Sequence, residues 1–342
     1  KEKNMKISRI IALVLACSSN FMNAEAAWVG KDSDIANLIY TQISQFAKDV
    51  DNVLVNQEHV EVNGKNFYVI DQKNLNNINY VQLKTDLINK MGLKTRRMVQ
   101  IVGSSNQFSV EGTQLAREFL KPYFDGEHIL EYGYTGHIND DLSKLDINSF
   151  LNEYIEQNPN ETHRVLANVV GHTFTALNLW GCKVSDKVSN FVVVYNDYGM
   201  QEGFTKFGDD VVASDYIMSA EDDDLLVIVE GGPQSFRQAV NVLEKGVKVV
   251  ALGNVREDNE KIIFSAAEFF NLVKSELIAN PYLTQERVKE ILNGYLSNHW
   301  AWDPRRPDAS TKKALFDSTV DDFINKGIYK KLLDRFDVRI VE

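Results

Sequence analysis

Two hydrophobic patterns alternate along the middle of the chain. Short, nearly continuous apolar runs occur in MVQIVGSSN (residues 98–106), HILEYGYTGHIND (128–140), NFVVVYND (190–197), LLVIVE (225–230) and VKVVAL (247–252). Runs of this kind, bounded by glycine, asparagine or acidic residues, predict strands buried on both faces, as in a parallel sheet. Between them, apolar residues recur three and four apart, which predicts helices. One covers 110–123, with Leu115, Ala116 and Phe119 on one side; others cover 147–157 and 164–180, and another starts near Ser235. The segment 198–221 is rich in Gly and Asp without a period and reads as a long loop. Strands alternating with helices give an α/β fold class: a three-layer, Rossmann-like parallel sheet over residues 96–256.

The flanks carry other patterns. Residues 28–95 read as an N-terminal α/β cap, with helical spacing over 32–50, two alternating runs around Asn63-Gly64, and a helix over 81–91 ending at Gly92. Asn-Gly between alternating runs is a strong hairpin signal. Residues 257–342 read as a C-terminal helical extension, with helices over 266–279, 284–297 and 317–328. The stretch NHWAWDPRRPDAS (298–310) holds Pro304 and Pro307 and cannot be one continuous helix. Its Trp300, Trp302, Arg305 and Arg306 suit either an interface or a pin to the core. This extension is also a candidate homodimer surface.

Residues 1–27 change the picture of compartment. From Met5, Lys6 and Arg9 precede the apolar run 10–16, and Ala24-Glu25-Ala26 offers small residues for cleavage. This predicts a signal peptide and an exported protein, periplasmic or secreted. A buried helix is the second reading, and a lipoprotein acylated at Cys17 the third. No run reaches the roughly 20 apolar residues of a membrane span. Two cysteines, Cys17 and Cys182, cannot build a disulfide framework. The net charge of -11 disfavours nucleic acid as a partner. It leaves open a small anionic ligand, because clustered backbone N–H groups act locally.

Candidate chemistry sits in three glycine turns at carboxyl ends of expected strands: Gly103-Ser104-Ser105, Gly133 to Gly136, and Gly231-Gly232 with Ser235. Open α/β sheets bind ligands outside the carboxyl ends of their strands. A glycine turn before a helix presents N–H groups to a phosphate. For any single turn, a tight strand-to-helix connection without a ligand is the favoured reading. The three together point to a small-molecule nucleotide or sugar phosphate. His137 with Asp140 and Asp141 could orient a base, but one histidine and two carboxylates are ordinary on a loop. His172 lies among apolar residues and reads as a satisfied helix residue. No metal-ligand pattern and no cofactor motif is read in the chain.

The order of these elements resembles the SLOG superfamily, which joins the LONELY GUY (lysine decarboxylase-like) phosphoribohydrolases and the DNA-processing protein A domain. The resemblance covers residues 97–254 and rests on Gly103-Ser104-Ser105, on Gly133 and Gly136, and on Gly231-Gly232-Pro233-Gln234-Ser235-Phe236-Arg237-Gln238. It implies a phosphate-binding role for these turns and N-glycosidic hydrolysis of nucleotides. In the family's GGxGTxxE motif, however, Ser235 replaces Thr and Gln238 replaces the catalytic Glu. An amide cannot act as a carboxylate base or stabilise an oxocarbenium ion by charge. Either Glu230, Asp197 or Asp209 supplies the carboxylate, or the site binds without cleaving. Arg237 is expected along the helix surface. Two functions follow: an exported nucleotide-binding hydrolase with catalytic groups at Gln238 and Glu230, or a non-catalytic secreted effector or binding protein that recognises a nucleotide-like ligand or a protein partner.

Overall fold

The computed structural model describes residues 59–62, 64–103, 115, 118–124, 127–133, 154–160, 165–171, 187–195, 213–229, 231–254, 262–300 and 309–341. It is a mixed α/β fold built on one large sheet flanked by helices. The strands of that sheet are β1 (His59–Val62), β2 (Lys65–Asp71), β3 (Met98–Gly103), β4 (Ile129–Gly133), β5 (Val165–Gly171), β6 (Asn190–Tyr195), β7 (Leu225–Val229), β8 (Lys248–Asn254) and β11 (Phe336–Val341). They lie in the order β1-β2-β6-β5-β4-β3-β7-β8-β11. Every pairing is parallel except β1 with β2. A separate parallel bridge joins β9 (Ile262–Ile263) to β10 (His299–Trp300).

The expected hairpin is present: Val62 pairs with Lys65, and Gly64 sits at φ 75°, where a side chain would be strained. The hairpin does not stand apart from the sheet, because β2 pairs with β6. Strands from all three expected segments, 28–95, 96–256 and 257–342, therefore share one set of hydrogen bonds. The helix expected over 164–180 is overturned in its first part. Residues 165–171 form β5, between β4 and β6. Val165, Val169 and Val170 are β-branched, and between two parallel strands they fit the pleat better than a helix. The expected loop 198–221 is corrected over its described part, where α2 (Ala213–Ile217) and a 3-10 turn at Ala220–Asp222 form. Residues 1–58, 172–186 and 196–212, with the expectations that fall on them, lie outside the described residues.

The remaining helices are α1 (Tyr80–Met91), α3 (Pro233–Glu244), α4 (Ala266–Ala279), α5 (Gln285–Leu296), α6 (Ala309–Asn325) and α7 (Leu332–Arg335). The last long helix begins eight residues before the expected start at 317. Leu87 and Met91 of α1, Ile217 of α2, Phe236 of α3 and Phe270 of α4 share one core with Leu226, Ile228, Val249 and Ala251 of the sheet. Alternate strand residues, Val227 and Val250 among them, face the other side and are also buried. There the Arg339 guanidinium lies 5.0 Å from the Phe119 ring centroid, and Phe124 stacks on Tyr154 at 4.1 Å. The described parts of the β3–β4 and β4–β5 connections thus lie on one face. Those from β7 to β8 and from β8 to β11 cross the other.

A buried ion pair fixes the amino ends of the central strands. Lys84 of α1 reaches Asp222 Oδ2 at 2.8 Å and Asp224 Oδ2 at 2.6 Å, with Lys84 and Asp224 almost wholly buried. Asp224 also accepts from the Met98 N–H and the Ser219 N–H, each at 2.7 Å. Asp222 keeps a second partner in Arg96 Nε at 2.9 Å. One acidic turn therefore ties α1, β3 and β7. Removing one member of such a pair leaves a buried charge behind. Lys84→Met should lose about 3–5 kcal/mol in urea unfolding, and adding Asp224→Asn should recover part of it; additive losses would contradict this coupling.

Candidate functional site at the carboxyl edge

The strand order places β3 between β4 and β7. Gly103 ends β3, Gly133 ends β4, and Gly231 follows the end of β7 by two residues. At least one glycine of each expected turn, Gly103, Gly133 and Gly231, therefore comes to one edge on adjacent strands. Ser104, Ser105, Gly136 and Glu230 lie outside the described residues, as do Asp197, Asp209 and His137.

The two glycines after β7 have different reasons to be glycine. A Cβ on Gly231 would stand 2.3 Å from Ile228 Cγ2 and 2.5 Å from Ser235 Cβ. Gly231 is needed to let the first turn of α3 close onto its own strand. Gly232 has no such neighbour: a Cβ there would meet nothing within 4 Å, and its φ of -80° suits any residue. It is the N-cap of α3, carries no side-chain cap, and is followed by Pro233 at the first helical position. The helix dipole there favours negative charge.

Ser235 and Gln238 lie on one side of α3, three residues apart, and both are buried. Ser235 packs over Gly231. Arg237 departs from expectation. It is half-buried, and its charge acts on Asp215 and Tyr216 of α2. Asp215 is buried, and burial pushes its carboxyl up to about 7; Arg237, Lys245 and hydrogen bonds with Asn241 and Gln100 oppose that rise. Gln100 of β3 and Glu131 of β4 are register partners and are also buried. This polar patch under α2 and α3 was not anticipated, because Gln100 and Glu131 look like interruptions of apolar strands.

A second helix meets the same turn. The Ala266 N–H donates to the Gly231 carbonyl at 2.7 Å, so the first turn of α4 abuts the end of β7. Ser265 caps α4 by accepting from the Glu268 N–H at 3.3 Å. In a simple capping box the Glu would reach back to the cap N–H. Here the Tyr295 hydroxyl stands between them: it accepts from the Ser265 N–H at 3.1 Å and donates to Glu268 Oε2 at 2.7 Å. Burial, then the bond to Glu268, raises the phenol well above its usual range, so it stays a neutral donor. The His299 ring stacks on Tyr295 with centroids 3.7 Å apart. Its Nδ1 lies 2.7 Å from the Tyr295 carbonyl, and its Nε2 lies 3.8 Å from Glu268 Oε2. The β9–β10 bridge pairs the His299 backbone with Ile262. Sequence reasoning missed this cluster, although Ser265 to Glu268 has capping-box spacing; His299 comes beside Tyr295 only because the chain leaves α5 at Leu296 and turns into β10. Among the described residues, no group of three or more His, Cys, Asp or Glu could hold a metal ion.

The chain matches no known protein-family model and no curated protein.

Two measurements check this geometry. Gly231→Ala should destabilise by about 1–3 kcal/mol through overpacking, while Gly232→Ala should cost no more than about 1 kcal/mol; equal losses in chemical denaturation would contradict the division between them. The second concerns Asp215. The unfolded chain loses this proton near the ordinary carboxyl value of 3.8 and the folded chain only near 7, so folding takes up a proton between them. Stability from this group therefore falls as pH rises through that window. The melting-temperature difference between Asp215→Asn and the unmodified protein should shift in favour of the variant from pH 4 to 7, then level off; a flat difference would contradict it.

Proposed function

We propose that the protein binds a nucleotide or nucleotide-derived phosphate at the carboxyl edge of the sheet, between β3 and β7, with its anionic group at the start of α3. The observation that carries this reading is Gly232: a helix N-cap without a side chain, without a packing reason and without a positive φ to require glycine. Crossovers leave β3 and β7 over opposite faces of the sheet, and a crevice at such a reversal is where open α/β sheets take ligands. The neighbouring ends at Gly103 and Gly133 enlarge the same edge. The Ser265-capped start of α4 already has side-chain partners, which leaves the start of α3 as the better anion position. The SLOG resemblance of residues 97–254 supports the same ligand class and adds N-glycosidic hydrolysis as the reaction.

A non-catalytic binding protein or effector is the second reading. It is favoured by Gln238, an uncharged and buried amide where the resembling enzymes have their glutamate. The proposed export signal at residues 1–27 suits this reading better than an enzyme of the cytosolic nucleotide pool.

Binding is tested by thermal shift with adenosine 5′-monophosphate, ribose 5-phosphate and NAD. The expected result is a stabilisation that Gly232→Val abolishes while its own unliganded melting temperature stays close to that of the unmodified protein. A shift that survives Gly232→Val would move the ligand to another place.

A further inference from the structure

We infer that Glu268 and His299, oriented by Tyr295, are the proton-accepting pair of the carboxyl-edge site, in place of a carboxylate at position 238. This rests on the phosphate-binding reading of Gly232. Three observations carry it. The first is position: the Ala266 N–H to Gly231 O bond sets the first turn of α4, which bears Glu268, against the glycine turn. The second is access. The Glu268 side chain is 35% exposed and that of His299 12%, so solvent and substrate can reach both, whereas Gln238 is buried.

The third is orientation. A carbonyl only accepts, so the bond to the Tyr295 oxygen puts the proton of a neutral His299 on Nδ1 and leaves Nε2 as an acceptor. The 2.7 Å bond from the Tyr295 hydroxyl aims Glu268 Oε2 toward that face of the ring. Nε2 and Oε2 are 3.8 Å apart, too far for a direct hydrogen bond. Two acceptors at that spacing can share one water at about 2.8 Å from each. A cap for α4 needs only Ser265 and Glu268. It does not account for a histidine with a fixed tautomer facing the same carboxylate.

His299 Nε2 takes a proton from water, and Glu268 stabilises the imidazolium that forms. The water oxygen bonds to the anomeric carbon of a nucleotide whose phosphate lies at Gly232. The C–N bond breaks with its electron pair going to the leaving nitrogen, which then takes the proton back from the imidazolium. Water is consumed, and a free base and a sugar phosphate are released.

The test combines base release from the 5′-monophosphates of adenosine, guanosine, cytidine and uridine and from NAD with two binding measurements. The expected result is base release by the unmodified protein that falls about 100-fold or more in Glu268→Gln and in His299→Gln. Both variants should keep the thermal shift with adenosine monophosphate. Independently of turnover, the ring 15N resonances of His299 should report the Nδ1–H tautomer and move on saturation with adenosine monophosphate, and not in Gly232→Val. Undiminished release in both variants, absent release despite Gly232-dependent binding, or His299 resonances indifferent to the ligand would each overturn the pair while leaving the binding reading intact. Absence of any Gly232-dependent shift would overturn the binding reading and this inference with it.

Discussion

The constraint on which the molecule depends is the handedness of parallel crossovers. A strand, a helix and a second parallel strand close almost always in the right-handed sense. The chain moves one way from β3 through β4 and β5 to β6, and the opposite way from β7 through β8 to β11. Reversing direction at fixed handedness obliges the helices to change faces. Phe119 and Tyr154 accordingly lie on one side of the sheet, and the helices of the Phe236 core lie on the other. The carboxyl ends of β3 and β7 lie side by side at this reversal. The candidate site follows from the order of the strands before any side chain is considered.

Packing turns that topological opening into a defined edge. Phe236 of α3 lies within 5.3–5.7 Å of the ring centroids of Phe264, Phe269, Phe270, Phe316 and Phe323. Tilted and edge-on pairs of this kind stabilise beyond the burial of the rings themselves. They fix α3, α4 and α6 together, so two helix starts converge on the Gly231 turn. At the opposite edge, Lys84 with Asp222 and Asp224 joins α1 to the entries of β3 and β7. The central strands are held at both ends, one by aromatic packing and one by charge.

The parallel strands that run as unbroken apolar sequence were legible: β6, β7 and β8 fall where NFVVVY, LLVIV and VKVVAL predict them. β5 was not legible, because VLANVVG has no alternation and joins smoothly to the helix-like spacing after it. Only its neighbours β4 and β6 decide its conformation. β11 was hidden for a related reason. FDVRIV alternates weakly and follows the short helix α7, and its assignment comes from pairing with β8, where Phe336 lies opposite Val249. The glycine turns could be read from sequence, but the distinct roles of Gly231 and Gly232 could not. That distinction lies in 2.3 Å to Ile228 against empty space.

The same distinction bears on how such a site can change its chemistry. Gly231 and Ser235 hold α3 against β7, and Gln238 is buried on the same side of that helix. A carboxylate at 238 would carry a desolvation cost there unless a partner met it. Glu268 is partly exposed, receives the Tyr295 hydroxyl, and stands on the neighbouring helix start that touches Gly231. Negative charge placed there is compatible with water, with the α4 dipole and with the cap of its own helix. An acid–base group can therefore sit on α4 without disturbing the close packing of α3 that the glycine turn requires. In the proposed site the turn and its neighbour would divide the work, with α3 offering backbone to an anion and α4 offering side chains to a proton.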